Sequence, residues 1–269
     1  MTRLGFVGGG NMAEALVSGI LKAGLVEPSR VFVSDTKEER RKHLSSRYGV
    51  KTTKDNLEVV RECDTVIIAV KPQQIKEVLE EMAGTVGDHH LVITVAAGVS
   101  ARFVEGKLGG SVPVIRVMPN MPANVQEAAT AISPGGHARQ AHIDTVLKIF
   151  NSIGSAVVVD ESQMDSVTAV SGSGPAYFFY MIEALTEAGV EQGLAPEVAR
   201  ELAVQTACGA AQVALSTMED PAELRKKVTS PGGTTEAAIA VLEEKGWKKI
   251  LREAVKAARV RSEELSQIS

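Results

Sequence analysis

Three glycine-bearing turns hold the residues whose types and spacing could do chemistry. In "GFVGGGNMAEAL" (5–16), Gly8, Gly10 and Ala13 have G-x-G-x-x-[GA] spacing between a hydrophobic start and a helix-forming run. The first glycine of such a turn allows the tight bend, and the second lets backbone approach a pyrophosphate. A small third residue keeps the helix close to its sheet, and the helix N-terminus offers free N–H groups to the phosphates. The segment reads as a dinucleotide cradle. "SGSGPAYF" (171–178) and "TSPGGTTEAA" (229–238) each place Ser, Gly and Pro ahead of an Ala-rich helical run. That arrangement suits a carboxylate and equally suits an ordinary loop. Thr234 and Thr235 add hydroxyls to the second of these turns.

What the second half lacks narrows the reaction. Hydride transfer to a carbonyl leaves an alkoxide, and a His or Lys usually manages the proton. Here no His follows His142, and no Lys occurs from Asn151 through Leu224. A protonated C=N is already electrophilic and becomes an amine, so positioning is the main demand on the protein. The residues favour an imine, with one hydroxyl hydrogen-bonding its nitrogen; Tyr177, Tyr180 and Glu183 stand as alternative acids. The choice of nucleotide stays open. Asp35 ends the second strand, where an acid would bond the 2′-hydroxyl of NAD, yet Asp35 and Glu38 also make a D-x-x-E helix start. Lys37, Arg40 and Arg41 follow as partners for the 2′-phosphate of NADP or as a solvated helix face.

Alternating elements must position these turns. Runs at 3–8, 30–35, 64–70, 90–98 and 112–120 are nearly continuous apolar stretches, which predicts parallel strands covered on both faces, and 154–161 reads as a last strand. Helices are predicted over 11–24, 36–48, 55–62, 73–83 and 100–108. The alternation predicts an α/β fold: an N-terminal Rossmann-like doubly wound sheet over 1–160. Residues 161–269 are rich in Ala, Glu and Leu, with helical spacing such as Leu202, Thr206, Gly209 and Val213, and predict an all-α C-terminal domain. "TACGAAQVAL" (206–215) puts small residues on most faces of its helix, as helices buried against a second copy do.

Composition excludes several function classes. The chain has 269 residues, 44% hydrophobic and 23% charged, with a net charge of −4 and no basic run, which argues against nucleic acid as a partner. Cys63 and Cys208 form no C-x-x-C pair and read as reduced thiols. No apolar stretch approaches the ~20 residues of a membrane span. A first strand beginning within three residues leaves no room for a signal peptide, and the expected location is cytoplasmic.

With "AVKPQ" (69–73), "AAGV" (96–99), "RVMPNMPA" (116–123), "AVSGSGPAYF" (169–178) and "VTSPGGTTEAAIAVLE" (228–243) in order after the first turn, essentially the full chain resembles the pyrroline-5-carboxylate reductases. The resemblance implies reduction of 1-pyrroline-5-carboxylate to L-proline by NADPH or NADH, the last step of proline biosynthesis, with no metal. It places Gly8, Gly10, Asn11 and Met12 at the pyrophosphate, and Ser34 and Asn56 at the adenine ribose. Ala69, Val70, Lys71 and Pro72 then flank the nicotinamide ribose, with Ala97 beside the nicotinamide. Read without the resemblance, Asn56 is a loop or cap residue and Lys71 a surface charge. Thr235 matches the threonine that hydrogen-bonds the ring nitrogen, and Ser230, Gly232, Gly233 and Thr234 match the loop that receives the carboxylate. The resemblance also implies an intertwined homodimer, often assembled further. Two rivals are a β-hydroxyacid dehydrogenase, whose lysine on the first helix after the cofactor domain is missing here, and a non-catalytic dinucleotide sensor.

Overall fold

The apolar runs can be strands only where both faces of a sheet are covered, and that is where they lie. The computed structural model describes residues 3–266; positions 1–2 and 267–269, at the ends of the two expected domains, lie outside them. The first half runs β1 (Leu4–Val7), α1 (Asn11–Lys22), β2 (Val31–Ser34), α2 (Glu38–Tyr48), β3 (Lys51–Thr53), α3 (Asn56–Glu62), β4 (Thr65–Ile68), α4 (Ile75–Met82) and β5 (Leu91–Thr94). It continues through α5 (Ala101–Leu108), β6 (Val114–Met118), β7 (Ala128–Pro134), α6 (Gln140–Asn151) and β8 (Gly154–Val158).

The strands form one eight-stranded sheet in the order β3-β2-β1-β4-β5-β6-β7-β8. Side chains alternate between its faces with period two. Leu4, Phe6, Ile67 and Ile93 pack with Leu16 and Ile20 of α1, Leu44 of α2 and Phe150 of α6. Val7, Val66, Ile68 and Val92 pack on the other side with Val59 and Val60 of α3, Leu79 of α4 and Val104 of α5. Helices on both faces are the doubly wound arrangement expected.

Three elements lie outside the expected set, and one orientation needs correcting. β3 is only Lys51–Thr53, too short to show a pattern. β7 reads Ala-Ala-Thr-Ala-Ile-Ser-Pro, mostly small residues with only Thr130 and Ile132 favouring a strand. It pairs antiparallel with β6, with Val117 opposite Ile132, so the sheet is not parallel throughout. α6 carried a legible helical pattern in Ile143, Val146, Leu147 and Phe150.

Beyond β8 no further strand occurs among the described residues. The chain passes through α7 (Met164–Val167), a π-helical turn at Thr168–Gly172, and then α8 (Gly174–Glu191), α9 (Pro196–Thr217), α10 (Pro221–Lys227), α11 (Thr234–Glu244) and α12 (Trp247–Ser266). Two compact units result: one runs to Ser173 and takes in the chain from Ala258 onward, and the other is Gly174–Ala257. The last turns of α12 therefore belong to the sheet-bearing unit. Ser262, almost fully buried, donates a 2.6 Å hydrogen bond to Asp165 there. No described helix is long and apolar enough to cross a membrane.

Candidate active site

The strand order reverses between β1 and β4, and the crevice outside the C-terminal ends of such strands is where doubly wound sheets bind ligands. The glycine turn lies there. Gly8 has φ +98°, and a Cβ on it would come within 2.9 Å of the Ala69 carbonyl oxygen, so glycine is required for the turn to pass β4. Its N–H donates to Ser34 O at 2.9 Å. Gly10 is the N-cap of α1, has no side-chain cap, and a Cβ there would meet nothing within 4 Å. The N–H groups of Gly10, Asn11 and Met12 have no hydrogen-bond partner among the described residues. These are the orphan donors of a helix start, at its positive dipole end. An exposed helix N-terminus with open space over a glycine fits a pyrophosphate.

Side chains from the β2–α2 junction hold this turn. Asp35 accepts from Gly9 N at 2.9 Å through Oδ2 and from Lys37 N at 2.8 Å through Oδ1. Both its oxygens thus serve backbone, and the N-cap of α2 is Lys37 without a side-chain cap, not the D-x-x-E start read from the sequence. Arg40 donates from Nε to Gly9 O at 2.9 Å and from Nη2 to Glu14 at 2.7 Å. Arg41 donates to the carbonyls of Asp35 and Thr36 at 2.7 and 3.0 Å. Glu14, on α1, also meets His43 at 2.8 Å and Tyr48 at 3.2 Å. Burial pushes the Glu14 carboxyl up, but the hydrogen bonds from His43, Arg40 and Tyr48, with the Arg40 charge, outweigh it and hold the group down at about 2.

The expected ribose residues meet as a pair. Ser34, fully buried, donates from its hydroxyl to Asn56 Oδ1 at 2.7 Å. Asn56 is the first residue of α3 and its amide donates to Glu81 at 2.8 Å; the cap of that helix is Asp55, which accepts from Leu57 N. Asn56 is therefore not the cap. Ala69 N donates to Val7 O at 2.8 Å, which sets the segment after β4 beside the glycine turn. Val70 and Pro72 are half-buried, while Lys71 and Ala97 are exposed. Pro72 and Ala97 line a cleft of about 730 Å³, a size usual for small-ligand sites. Lys76 and Phe103 add to its wall, and so do Arg261 and Leu265 of α12. Nothing in the spacing of residues 258–265 signals that last contribution.

The motif "RVMPN" also finds a structural role. Asn120, nearly buried, donates to Ser171 O at 3.0 Å and accepts from Ala129 N at 3.0 Å. The π-turn, closed by Ser173 N to Thr168 O at 2.8 Å, is thereby tied to the β6–β7 connection. Such turns recur at functional sites.

The expected substrate residues are grouped on the other compact unit. Ser230, Pro231, Gly232 and Gly233 form a turn closed by Gly233 N to Ser230 O at 3.0 Å. Pro231 precedes Gly232, whose φ of +72° is the value a type II turn needs at that position. Gly233 is the N-cap of α11. Gly232 N donates to Glu236 Oε2 at 2.7 Å, so both glycine N–H groups are committed inside the turn. The free donors are instead the N–H groups and hydroxyls of Thr234 and Thr235, which have no partner among the described residues. Tyr177, Tyr180 and Glu183 lie on α8. Among the described residues no group of three His, Cys, Asp or Glu could hold a metal.

Residues 161–265 match the family model for pyrroline-5-carboxylate reductase dimerisation. Residues 3–98 match the model described as NADP oxidoreductase, coenzyme F420-dependent. A pyrroline-5-carboxylate reductase of Methanosarcina acetivorans is 43% identical over 265 residues, 98% of each chain. This chain belongs to the pyrroline-5-carboxylate reductase family. The structure of the family member from Coxiella burnetii superposes with a TM-score of 0.94 at 38% identity, covering 98% of both chains. That of Plasmodium falciparum pyrroline carboxylate reductase with NADP bound superposes at 0.86 and 30% identity, again over 98% of both. The chain places the expected nucleotide residues at one end of one sheet, and the expected substrate residues in the Ser230–Gly233 turn and the first two positions of α11.

Proposed function

We propose that this chain reduces 1-pyrroline-5-carboxylate to L-proline with NADPH or NADH, as the final step of proline biosynthesis. Full-length kinship at 43% identity carries the reading, joined to a glycine turn with open donors at the switch point and an intact Ser-Pro-Gly-Gly-Thr-Thr turn. NADPH, when bound, supplies the hydride to the imine carbon.

The chain's own residues then have divided tasks. Gly8, Gly10, Asn11 and Met12 receive the pyrophosphate on main-chain donors, and Ser34 with Asn56 receives the adenine ribose. Lys37 and Arg41 are the cations offered to a 2′-phosphate: Arg41 is engaged through Nη1 alone, whereas Arg40 is held through both Nε and Nη2. Ala69, Val70, Lys71, Pro72 and Ala97 border the nicotinamide end. Thr235 hydrogen-bonds the ring nitrogen, while Ser230, Thr234 and the turn shaped by Gly232 and Gly233 hold the carboxylate. A substrate already protonated at nitrogen needs no acid from the protein, and this hydroxyl accepts the hydrogen bond of its N–H.

Residues 1–160 serve as the nucleotide domain, and 161–269 as the dimerisation and substrate domain. The helical unit supports a second copy as partner. Phe178 and Phe179 of α8 are 68% and 53% exposed, and Leu202 and Leu215 of α9 are 53% and 68% exposed. Covering each such side chain is worth ~2 kcal/mol. A homodimer fits these surfaces, and we extend it to rings of dimers working in the cytoplasm. The decisive test is NADPH oxidation at 340 nm with 1-pyrroline-5-carboxylate. Turnover with a 2- or 3-hydroxy acid and NADP in its place would overturn the reading, as would NADPH binding without turnover.

A further inference from the structure

The environment of Gly9 assigns a task to a residue that its position alone would assign elsewhere. Arg40 follows the second strand, where a cation is the obvious partner for a 2′-phosphate. Two of its guanidinium nitrogens are instead engaged within the turn: Nε donates to Gly9 O at 2.9 Å and Nη2 to Glu14 Oε2 at 2.7 Å. On the other side of the same residue, Gly9 N donates to Asp35 Oδ2 at 2.9 Å. Gly9 is thus gripped at both its N–H and its C=O by side chains of the β2–α2 junction.

A planar trans peptide points its C=O and the following N–H in opposite directions. Fixing Gly9 O therefore fixes Gly10 N–H, the first unpartnered donor of the turn. We propose that Arg40 is a positioning residue of the nucleotide site, with Glu14 as the carboxylate that keeps its guanidinium on Gly9 O. It acts by presenting the Gly10 N–H to the pyrophosphate and not by binding a 2′-phosphate. The inference rests on the reading of this turn as a dinucleotide site.

Glu14 is built for this role. It gathers His43, Tyr48 and Arg40 within 3.2 Å, with Arg47 at 3.7 Å, and its side chain is only 18% exposed. Against burial, its carboxyl is held down at about 2 by His43, Arg40 and Tyr48, which favours the ionised form that grips Arg40. The pyrophosphate is common to NADPH and NADH, while the 2′-phosphate is not. A positioning residue and a 2′-phosphate ligand therefore leave different signatures.

The experiment titrates full-length protein with NADPH and with NADH by nucleotide fluorescence, for wild type, Arg40→Met, Arg40→Lys and Glu14→Gln. Arg40→Met keeps the aliphatic stem and removes both donors. It should weaken both nucleotides by the same factor, about tenfold, the effect of losing one well-placed charge-assisted hydrogen bond. Arg40→Lys cannot serve Gly9 O and Glu14 together, so it should show the same equal loss in a folded protein even if the Met variant misfolds. Glu14→Gln should also weaken both equally. For each variant the Michaelis constant for nucleotide should rise while turnover at saturation holds, a split that general destabilisation does not produce. Loss of NADPH affinity alone would make Arg40 a 2′-phosphate ligand and overturn the inference, as would two unchanged affinities. Wild-type protein that bound neither nucleotide would instead sink the reading of the turn itself.

Discussion

Replacement of Gly10 by valine separates a phosphate cradle from a mere bend in the chain. The backbone at Gly10 has φ −71° and ψ −172°, extended values open to any residue, and a Cβ there meets nothing within 4 Å. The folded protein should therefore accept the side chain. The structural cost is the weaker N-cap preference of valine, ~1 kcal/mol, or a melting shift of about 2–4 °C. The nucleotide would lose far more, because the new side chain occupies the space its pyrophosphate needs. Losing two charge-assisted hydrogen bonds at ~1.5–3 kcal/mol each raises the dissociation constant by about 10²- to 10⁴-fold. NADPH fluorescence titration beside a thermal melt reads both quantities. Gly8→Ala makes the contrast, since its φ of +98° and the Ala69 carbonyl in its way predict a large loss of stability. An unchanged titration for Gly10→Val with an unchanged melt would show that phosphate goes elsewhere.

Thr235→Ala should lower turnover by about 10- to 1000-fold with NADPH affinity within twofold of wild type; Thr235→Ser should restore most of the rate, and wild-type turnover in the alanine variant would remove Thr235 from the site. Glu14, at about 2 in the folded protein against a usual 4.5, contributes stability that is complete above the higher value and disappears as pH falls toward the lower. Wild type should lose about 2 kcal/mol across that window, allowing for solvent screening, and Glu14→Gln should not; denaturant titrations at stepped pH measure it. Leu202→Glu, on an exposed apolar stretch of α9, should convert a dimer to monomers in sedimentation, and an unaltered assembly would place the contact on another face.

The turns were legible because each carries its own signal. Glycine spacing at Gly8 and Gly10 names a backbone need, and Pro231-Gly232 names a turn type. The sheet was legible where strands are buried on both faces, as in β4 and β5, because burial leaves nearly unbroken apolar runs. It was not legible at β7, where small side chains suffice, or at β3, where three residues complete an edge. Asp35 shows a different limit. Its position allowed a ribose contact or a helix cap, and only the folded chain brings its two oxygens onto Gly9 and Lys37. Partnerships distant in sequence, such as Ser34 with Asn56 or Asn120 with Ser171, leave no periodic trace at all.

The return of the chain to its first unit at Ala258 makes the helical segment an insert tethered at both ends. A gene fragment stopping at residue 160 or 173 would therefore not yield a self-sufficient nucleotide-binding module. It would lose the cover supplied by the end of α12, and in the longer fragment Asp165 would be stripped of its Ser262 partner. Removal of residues 258–266 would, for the same reason, cut into the wall of the cleft beside Ala97, to which Ala258, Arg261, Ser262 and Leu265 contribute.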